Sequence, residues 1–415
     1  MRRILLYSPD VIGHPRVYCR VISDALLGTD CDLVLAMGFT DDVSLDDSPD
    51  LWPLKARPGV TIVDTRSFSA GASPHLRAEE LLKLQVAHGV ETTLFIEADK
   101  SNDEFRRIAS NLAPRLHGRN IGIFAKTAEW YPGEDSFTGE RLRLQASTVR
   151  TTLGNLKRAV FHRKRTARYF YEKIILGANV LDELIVKDER LADWYGPPIH
   201  WLPEISRPVD VAESAEDVAE FELRSHELTN FLAQNNGREP VLYFGDAAFY
   251  KGYDWFLQFV EKVPSACAIH AGRSYDLTQA QYFDSGFEQT RIRLKAEGRL
   301  YETNSYVHSQ RLKELFFSSV RVYLTTHRLA LSSSTMIQAL ELGKPVIVPD
   351  RGLIGHRVKT HSLGGVYKYG DVADLAKVAN QMWQSDLTRF KAPIRSFWER
   401  FSDEQVQLFF QQRLT

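Results

Sequence analysis

A cluster of hydroxyl side chains stands at the start of a helical pattern in the C-terminal half of the chain. It runs from Ser332 through Ser333 and Ser334 to Thr335, and the pattern ends at Gly343. Backbone N–H groups and the positive end of the helix dipole attract anions at a helix start, and the hydroxyls would add donors. Ser and Thr are also ordinary N-cap residues. The cluster therefore predicts one wall of a phosphate site or, as the commoner alternative, a helix cap.

Two strand patterns in the same half end in a glycine that is followed by a cation. The two pairs are Gly245 with Lys251, and Gly272 with Arg273. Ligands of open α/β sheets bind beyond the carboxyl ends of the strands, where an ammonium or a guanidinium can meet phosphate oxygens. For the segment of Lys251 alone, an exposed lysine in a turn is the favoured alternative. Three strand ends that meet at one rim predict an anion site more specifically.

The elements that carry these residues belong to an alternation of apolar runs and amphipathic stretches. In the first half this pattern predicts strands and two helices, which implies a largely parallel sheet covered by helices. The strands are Ile4–Tyr7, Asp32–Ala36, Val60–Val63, Thr93–Ile96, Ile121–Phe124, Leu184–Val186 and His200–Leu202, and the helices are Arg16–Leu27 and about Asn102–Leu112.

The alternation restarts after a polar boundary between Pro208 and about Pro240. The boundary reads as a helical connector followed by a loop. The elements after it are Val241–Phe244, Trp255–Val263, Ala268–Ala271, a helix near Gln310–Phe317, Val322–Leu324, a helix from Thr335, and Val346–Val348. The sequence therefore predicts an α/β protein with two consecutive Rossmann-like domains.

Composition excludes several classes of protein. The 415 residues carry 52 Lys+Arg and 53 Asp+Glu, with 44% hydrophobic residues, which is typical of a soluble globular protein and argues against a general nucleic-acid binder. Cys19, Cys31 and Cys267 are far apart, so neither a disulfide framework nor a structural zinc is expected, and a reducing cytosol fits best. The apolar run at the N-terminus stops at Pro9, too early for a signal peptide, and no run is long enough to span a bilayer.

The motifs between residues 240 and 380 resemble the donor-binding half of the GT-B glycosyltransferases, most closely the retaining, family-4-like group. The resemblance rests on Gly245 with Lys251-Gly252, on the strand that ends at Gly272, on Ala339-Leu340 with Gly343-Lys344-Pro345-Val346-Ile347, and on Gly370-Asp371 with Leu375-Ala376. In the first half, Ile12-Gly13-His14 resembles the family's glycine loop, Trp201-Leu202-Pro203-Glu204 its strand before the linker, and the stretch from about Ser396 its returning helix.

The resemblance implies domain boundaries and a donor site. An acceptor-side domain would cover residues 1–205, a linker 206–239, a nucleotide-sugar domain 240–395 and a returning helix 396–415, with the two domains facing each other across a cleft. The expected donor-binding residues are Gly245, Lys251, Gly272, Arg273, His327, Ser332, Ser333, Ser334, Thr335 and Gln338. The nucleotide sugar is a co-substrate, and neither a cofactor nor a metal is expected.

Three positions depart from the family's pattern. Asp246 stands where the family has an arginine that clamps the diphosphate, and it would repel phosphate unless a cation such as Arg273 pairs with it. Ala330 and Gln338 stand at the two glutamates of the family's Glu–x7–Glu motif. Gln338 can still accept a hydrogen bond from a ribose hydroxyl, whereas Ala330 cannot. Stabilisation of the donor sugar would then come from Ser332–Ser334 or His327.

The first domain contains the candidates for the acceptor side. The loop after Ile121–Phe124 contains carboxylates and aromatic rings, which bind sugar hydroxyls and sugar faces, and a base is needed near an attacking hydroxyl. The expected catalytic residues are His14, Glu129 and Asp135, and the expected acceptor-loop residues are Gly13, Arg16 and Trp130. An ordinary surface loop is the alternative for each carboxylate, and a structural role is the alternative for His14.

The stretch 141–173 is basic, with aromatic residues interleaved. It could dock on an anionic membrane and bring the enzyme to a lipid-linked acceptor. A solvated helix is the slightly favoured alternative. Nucleic acid is not an expected partner, because no nucleic-acid-binding motif accompanies the basic run.

The sequence as a whole predicts a glycosyltransferase of hexosyltransferase type. It would move a sugar from a nucleotide diphosphate sugar to a glycan or lipid-linked acceptor, with retention, in the synthesis of a cell-surface polysaccharide or glycoconjugate. Two alternatives stay open: a nucleotide-sugar epimerase of the same fold, and a catalytically silent binding or scaffold subunit. The expected location is the cytoplasm. If the stretch 141–173 docks on a membrane, the protein would lie at the inner membrane face.

Overall fold

The computed structural model describes residues 2–9, 14–26, 29–39, 51–65, 73–124, 176–205, 214–274, 283, 286–307, 309–328 and 332–414. These residues form two units. The first unit contains the described residues up to 124, those of 176–205 and those from 400 onward, and the second contains those of 214–399.

The first unit is built on a seven-stranded sheet in which all paired strands are parallel. Its order is β3-β2-β1-β4-β5-β6-β7, so the order reverses beside β1 and the carboxyl ends of the strands share one edge. The strands are β1 (Arg2–Ser8), β2 (Cys31–Met37), β3 (Val60–Asp64), β4 (Thr92–Phe95), β5 (Arg119–Phe124), β6 (Glu183–Val186) and β7 (Ile199–Trp201). Of the central strands, β1 is buried over its last five residues and β4 over its whole length, as strands covered on both faces must be.

Helices connect these strands. Ser73 caps one of them by accepting a hydrogen bond from the backbone N–H of Leu76, and Pro74 occupies the first turn, where its missing N–H costs nothing. The helices are α1 (His14–Ala25), α2 (Trp52–Lys55), α3 (Pro74–Ala87), α4 (Asn102–Ala109) and α5 (Glu189–Tyr195).

The second unit contains two three-stranded parallel sheets, ordered β10-β9-β8 and β11-β12-β13, with β8 beside β11. Together they give the strand order of a Rossmann-like domain, and the loops that follow the strands emerge at one edge. The strands are β8 (Glu239–Phe244), β9 (Ala266–Ala271), β10 (Leu300–Glu302), β11 (Tyr323–Leu324), β12 (Val346–Pro349) and β13 (Gly364–Tyr367).

The helices of the second unit begin at residue 215. The first starts at a capping box in which the Ser214 side chain and the Asp217 side chain each satisfy a backbone N–H of the other residue. The helices are α6 (Ala215–Gln234), α7 (Tyr253–Lys262), α8 (Phe287–Ala296), α9 (Gln310–Ser318), α10 (Ser334–Glu341), α11 (Gly352–His361), α12 (Val372–Gln384) and α13 (Lys391–Glu399). Helix α6 lies in the stretch 206–239 that the sequence predicts as a linker, and it groups with the second unit.

The last helix, α14 (Asp403–Leu414), packs on α1 in the first unit. Phe410 is fully buried in the same apolar cluster as Leu6 and Ile22. The Gln411 side chain donates a 2.8 Å hydrogen bond to the carbonyl oxygen of Ala25 at the end of α1. The C-terminal segment therefore completes the core of the first unit.

The prediction of an α/β protein with Rossmann-like units is confirmed. Most predicted strands differ from the observed ones by one or two residues at an end, because strand pairing extends beyond the apolar run that the sequence shows. The predicted helix Asn102–Leu112 ends earlier, at Ala109. The elements that the sequence pattern did not predict are α2, α3, α5, α8, α11, α12, β10 and β13.

We expect Phe410→Ala to lower the free energy of unfolding of the first unit by about 3–5 kcal/mol, because it leaves a cavity between α1 and α14. Urea denaturation followed by circular dichroism measures the change. Leu408→Ala is the matched control on the same helix, since Leu408 is 46% exposed, and it should cost less than about 1 kcal/mol. Equal losses in the two variants would mean that α14 does not contribute to the core.

Candidate functional site

The side chain of Lys251 reaches back to the end of β8. Lys251 ends a short 3-10 turn, and a Cβ atom added to Gly245 would lie only 2.7 Å from its Nζ. Gly245 also has a φ of +100°, which glycine adopts without strain. The backbone conformation therefore favours glycine here, and the Lys251 ammonium occupies the space that a Cβ would take.

Gly252 fixes the other end of this loop. Its φ is +68°, and a Cβ there would lie 2.1 Å from the carbonyl oxygen of Thr326. The Thr326 hydroxyl also donates a 3.0 Å hydrogen bond to the carbonyl oxygen of Lys251. The loop that carries Lys251 is thus pressed against the segment that follows β11.

Gly272 brings the end of β9 into direct contact with the end of β8. A Cβ at Gly272 would lie 2.1 Å from the carbonyl oxygen of Gly245, so no other residue fits without a shift of the backbone. The backbone N–H of Gly272 donates a 2.9 Å hydrogen bond to the hydroxyl of Thr303, which follows β10. The ends of β8, β9 and β10 therefore meet here; the start of α10, which the sequence analysis placed at the same rim, is not part of this contact.

The ammonium of Lys251 has no hydrogen bond or ion pair with the described residues. Burial lowers its pKa; Asp246 raises it in part, and Arg273 lowers it further. A partly buried cation without a partner is costly unless an anion binds beside it. Lys251 is therefore the strongest anion-binding feature at this edge of the sheet.

Asp246 and Arg273 form a bidentate ion pair. The Nε–Oδ1 and Nη2–Oδ2 distances are 3.0 and 2.7 Å. Hydrogen bonding from Arg273 lowers the pKa of Asp246, against the effect of partial burial, so the carboxyl stays ionised. The expectation that a nearby cation would compensate Asp246 is confirmed. The Arg273 side chain is 62% exposed, so the pair contributes about 1 kcal/mol at most and can exchange partners.

His327 follows β11 and is a neutral group. Burial, with a smaller contribution from the Lys251 charge, lowers its pKa to about 3. Its Nδ1 is buried and has no hydrogen-bond partner in the described part of the chain. His327 can therefore exchange hydrogen bonds with a ligand but cannot supply a second positive charge.

The hydroxyls at the start of α10 are largely used within the protein. Ser333 is the N-cap: its Oγ accepts a 3.3 Å hydrogen bond from the backbone N–H of Met336. Ser333 and Thr335 hydroxyls are 3.0 Å apart, and Tyr323 donates to Thr335 at 2.9 Å. The helix cap left open as an alternative is therefore present.

Two further predicted residues flank that cap. The Ser332 hydroxyl accepts a 3.2 Å hydrogen bond from the fully buried Arg357. Ser334 and Gln338 are partly exposed on α10 and lie on one face, because they are four residues apart. The Oε1 atom of Gln338, which the sequence analysis assigned to a ribose hydroxyl, is itself buried.

The acceptor-side predictions are only partly within the described residues. Helix α1 begins at His14 and also carries Arg16, directly after β1 at the carboxyl edge of the first unit's sheet, but their side chains are outside the described part. Gly13, Glu129, Trp130 and Asp135 lie entirely outside it, as do Ala330 and the whole stretch 141–173. These assignments stay predictions.

Arg328 is a residue that the sequence did not single out. It is buried, pairs with the buried Asp254, and lies between the rings of Phe249 and Trp255, 4.2 and 3.8 Å from their centroids. Its backbone N–H also donates to the carbonyl oxygen of Tyr250 at 2.9 Å. Arg328 thus secures the turn that ends in Lys251. The signal that could have identified Arg328 in the sequence is the polar run that follows the apolar strand β11.

The described residues contain neither a candidate metal centre nor a candidate membrane-spanning helix. No group of three or more His, Cys, Asp or Glu side chains that could hold a metal ion occurs within the described residues. The three cysteines are free thiols. Among the helices of the described ranges, none is long and apolar enough to cross a membrane.

Comparisons with known proteins identify the fold of the chain. No family model and no curated protein sequence matches the chain. Solved structures match over its whole length: sucrose-phosphate synthase from Thermosynechococcus elongatus has a TM-score of 0.62, 16% identity and 98% of its own chain covered. HepE of Anabaena, in complex with UDP and glucose, has a TM-score of 0.62, 13% identity and 99% covered. A glycosyltransferase from Rickettsia africae has a TM-score of 0.64, 10% identity and 99% covered.

The chain has the GT-B fold. The resemblance seen in the motifs of residues 240–380 is therefore confirmed at the level of the fold. At identities of 10–16%, similarity establishes the fold alone, and the activity has to be argued from the site.

We expect His327 to destabilise the folded protein in acid. Its folded-state pKa of about 3 is below the unfolded value near 6.5, so the unfolded state binds more protons below pH 6.5. Stability from this group is complete above that pH and falls as the pH drops toward 3, by about 2 kcal/mol at pH 5.

Urea denaturation of the native protein and of His327→Gln at pH 5 and pH 7 measures this effect. The variant should lose less stability between the two values. His117→Gln, at an exposed histidine, is the control and should follow the native protein. An identical pH dependence of His327→Gln and the native protein would contradict the assignment of a buried neutral imidazole.

Proposed function

We propose that the chain is a glycosyltransferase whose second unit binds a nucleotide diphosphate sugar. The observation that carries the proposal is the ammonium of Lys251, which lies against Gly245 at the carboxyl end of β8 and has no anionic partner bound to it in the described residues. The GT-B fold supports it, because the structures with this fold include proteins in complex with UDP and UDP-glucose.

The proposed chemistry is transfer of the sugar to a hydroxyl group. A bond forms between the acceptor oxygen and the anomeric carbon, while the bond from that carbon to the diphosphate oxygen breaks. Negative charge grows on the departing diphosphate, and Lys251 is the residue placed to neutralise it. The hydroxyl proton leaves for a base, for which His14, Glu129 and Asp135 are the candidates, or for the departing phosphate itself.

The finer assignments follow the family resemblance. The acceptor is a glycan or a lipid-linked sugar, the configuration at the anomeric carbon is retained, and the product enters a cell-surface polysaccharide or glycoconjugate. The nucleotide sugar is a co-substrate, and neither a metal nor an organic cofactor is assigned to the reaction. A basic stretch at 141–173 would bring the enzyme to an anionic membrane surface from the cytoplasm.

We expect a nucleotide diphosphate to raise the melting temperature of the protein, because it binds the folded state only. UDP is tested first, followed by GDP, ADP and TDP and their sugars, by differential scanning fluorimetry. At a concentration about 100 times the Kd the stabilisation is about 2.7 kcal/mol. Lys251→Ala should remove most of the shift, since the cation that meets the diphosphate is lost.

Lys377→Ala is the matched control for this experiment. It removes the same charge from an exposed position on α12 and should leave the shift unchanged. No shift with any nucleotide would refute the proposed donor site. A shift that survives Lys251→Ala would exclude Lys251 from it.

We expect nucleotide affinity to fall in alkaline buffer. Burial lowers the pKa of Lys251, so its ammonium loses its charge at a lower pH than an exposed lysine does. Isothermal titration calorimetry between pH 7 and pH 10 measures the loss. In Lys251→Ala the affinity should be weak and nearly independent of pH over that range, and a decline as steep as in the native protein would assign the effect to another group.

The reaction itself is tested with the nucleotide sugar that gives the largest shift. Release of the nucleotide diphosphate that requires an added glycan or lipid-linked acceptor supports the glycosyltransferase. Epimerisation of the donor sugar in the absence of any acceptor would replace it by the epimerase alternative. Binding without either reaction, across a panel of acceptors, would favour a silent subunit.

A further inference from the structure

Glu302 is a buried carboxylate beneath the candidate donor site. It is the last residue of β10, its side chain is 1% exposed, and it pairs in register with His270 of β9. Arg291 on α8 donates to both carboxylate oxygens at 2.8 Å. Lys295, one turn further along α8, also pairs with it. One acidic group thus collects two cations inside the second unit.

The carboxyl of Glu302 is ionised. Burial alone would raise its pKa, but the contacts from His270, Arg291, Lys295 and Tyr253 hold the pKa well below its usual range. A buried charge of this kind is retained only when several donors converge on it. Two of these donors, His270 and Tyr253, lead to the loop that carries Lys251.

His270 connects Glu302 to Gly245. The imidazole is completely buried, with Nδ1 3.6 Å from Glu302 Oε1 and Nε2 3.1 Å from the carbonyl oxygen of Gly245. A carbonyl oxygen can only accept, so Nε2 carries the proton in this contact. The Glu302 carboxylate lies on the other side of the ring, beyond hydrogen-bond distance of Nδ1, so the imidazole is enclosed between Glu302 and the carbonyl of Gly245. The carbonyl of Gly245 is therefore held from below.

Tyr253 connects Glu302 to the other end of the same loop. It is the first residue of α7, two positions after Lys251, and it is fully buried. Its hydroxyl donates a 2.8 Å hydrogen bond to Oε1 of Glu302. Its ring also packs on His270, with the ring centroids 4.7 Å apart. Glu302 thus contacts both supports of residues 245–253.

We propose that Glu302 is a positioning residue for the donor site: through His270 and Tyr253 it sets the conformation of the loop that presents Lys251 to a nucleotide diphosphate. The identity of the ligand rests on the proposed function, whereas the effect on the loop rests on the contacts described above. Glu302 itself does not touch the ligand. Its role is to keep the ammonium at Gly245 before the anion arrives, so that binding does not have to order the loop.

The matched variants are Glu302→Gln and Glu288→Gln. Both remove a carboxylate that pairs with Arg291, but Glu288 is 39% exposed and contacts Arg291 Nη1 at 2.9 Å on its outer side. Only Glu302→Gln removes the charge that faces His270 and Tyr253. Tyr253→Phe is the third variant, which leaves the cations of Glu302 in place and removes one support.

The first measurement is made without any ligand. In amide NMR spectra, Glu302→Gln and Tyr253→Phe should move the cross-peaks of residues 245–252 and leave those of β12 and β13 in place. Glu288→Gln should move none of them. A role confined to stability would lower the melting temperature without a change localised at this loop. Unmoved loop cross-peaks in Tyr253→Phe and Glu302→Gln would overturn the proposal.

The second measurement is the affinity for UDP by isothermal titration calorimetry, well below the melting temperature of each variant. We expect Glu302→Gln to weaken binding about tenfold, Tyr253→Phe to weaken it by a smaller factor, and Glu288→Gln to leave it unchanged. Equal weakening in the two glutamate variants would also overturn the proposal. Should Glu302→Gln not fold, Tyr253→Phe decides both measurements.

The two measurements separate this inference from the proposed function. If no nucleotide binds the native protein, the proposed function fails, and the ligand-free spectra still decide whether Glu302 controls the loop. If UDP binds and only the loop spectra fail to respond, the donor site stands and the role of Glu302 is refuted.

Discussion

The candidate site depends on how closely two strand ends approach each other. Gly272 has no side chain, so the carbonyl oxygen of Gly245 can lie where a Cβ would otherwise be, 2.1 Å away. Gly245 in turn leaves the space that the Lys251 ammonium fills. A side chain at Gly272 would collide with the backbone of Gly245, and one at Gly245 would displace the tip of the Lys251 side chain. Backbone geometry, more than any hydrogen bond, therefore brings a positive charge to the place where parallel sheets bind ligands.

Charged side chains form two groups, one buried below this edge of the sheet and one at the edge itself. Below it, Glu302 is neutralised by Arg291 and Lys295 and accepts a hydrogen bond from the buried hydroxyl of Tyr253. At the edge, Asp246 occupies Arg273, while Lys251 stays unneutralised. Glu302 is thus paired and fixes the conformation, whereas the partly buried Lys251 has no carboxylate partner among the described residues and favours binding of an anion.

The fold was predictable because local and global signals agree. Apolar runs such as Ile4–Tyr7 and Val346–Val348 identified parallel strands, and Gly245 and Gly272 marked the edge where the strands end. The supports of the site were not predictable. Glu302 stands in a short, partly apolar strand, and neither its register with His270 nor its approach to Tyr253 can be read from spacing along the chain. Such residues act through contacts between elements that are distant in sequence. Arg328 could not be identified for the same reason, since its partner Asp254 is on α7, far from it in sequence.

The pair of Asp246 and Arg273 explains how the departure from the family's pattern can be tolerated. In the family-4-like enzymes that the motifs resemble, an arginine follows the first glycine directly; here that position holds an acid, and the arginine follows the glycine of the neighbouring strand. The two side chains meet across the strand ends with bidentate geometry, so the acid no longer faces the ligand as a free charge. Because the pair is exposed and weak, a diphosphate that binds Lys251 can compete for the guanidinium. The edge then offers two cations to the diphosphate, Lys251 after β8 and Arg273 after β9. The second cation is therefore still supplied, but it follows a different strand.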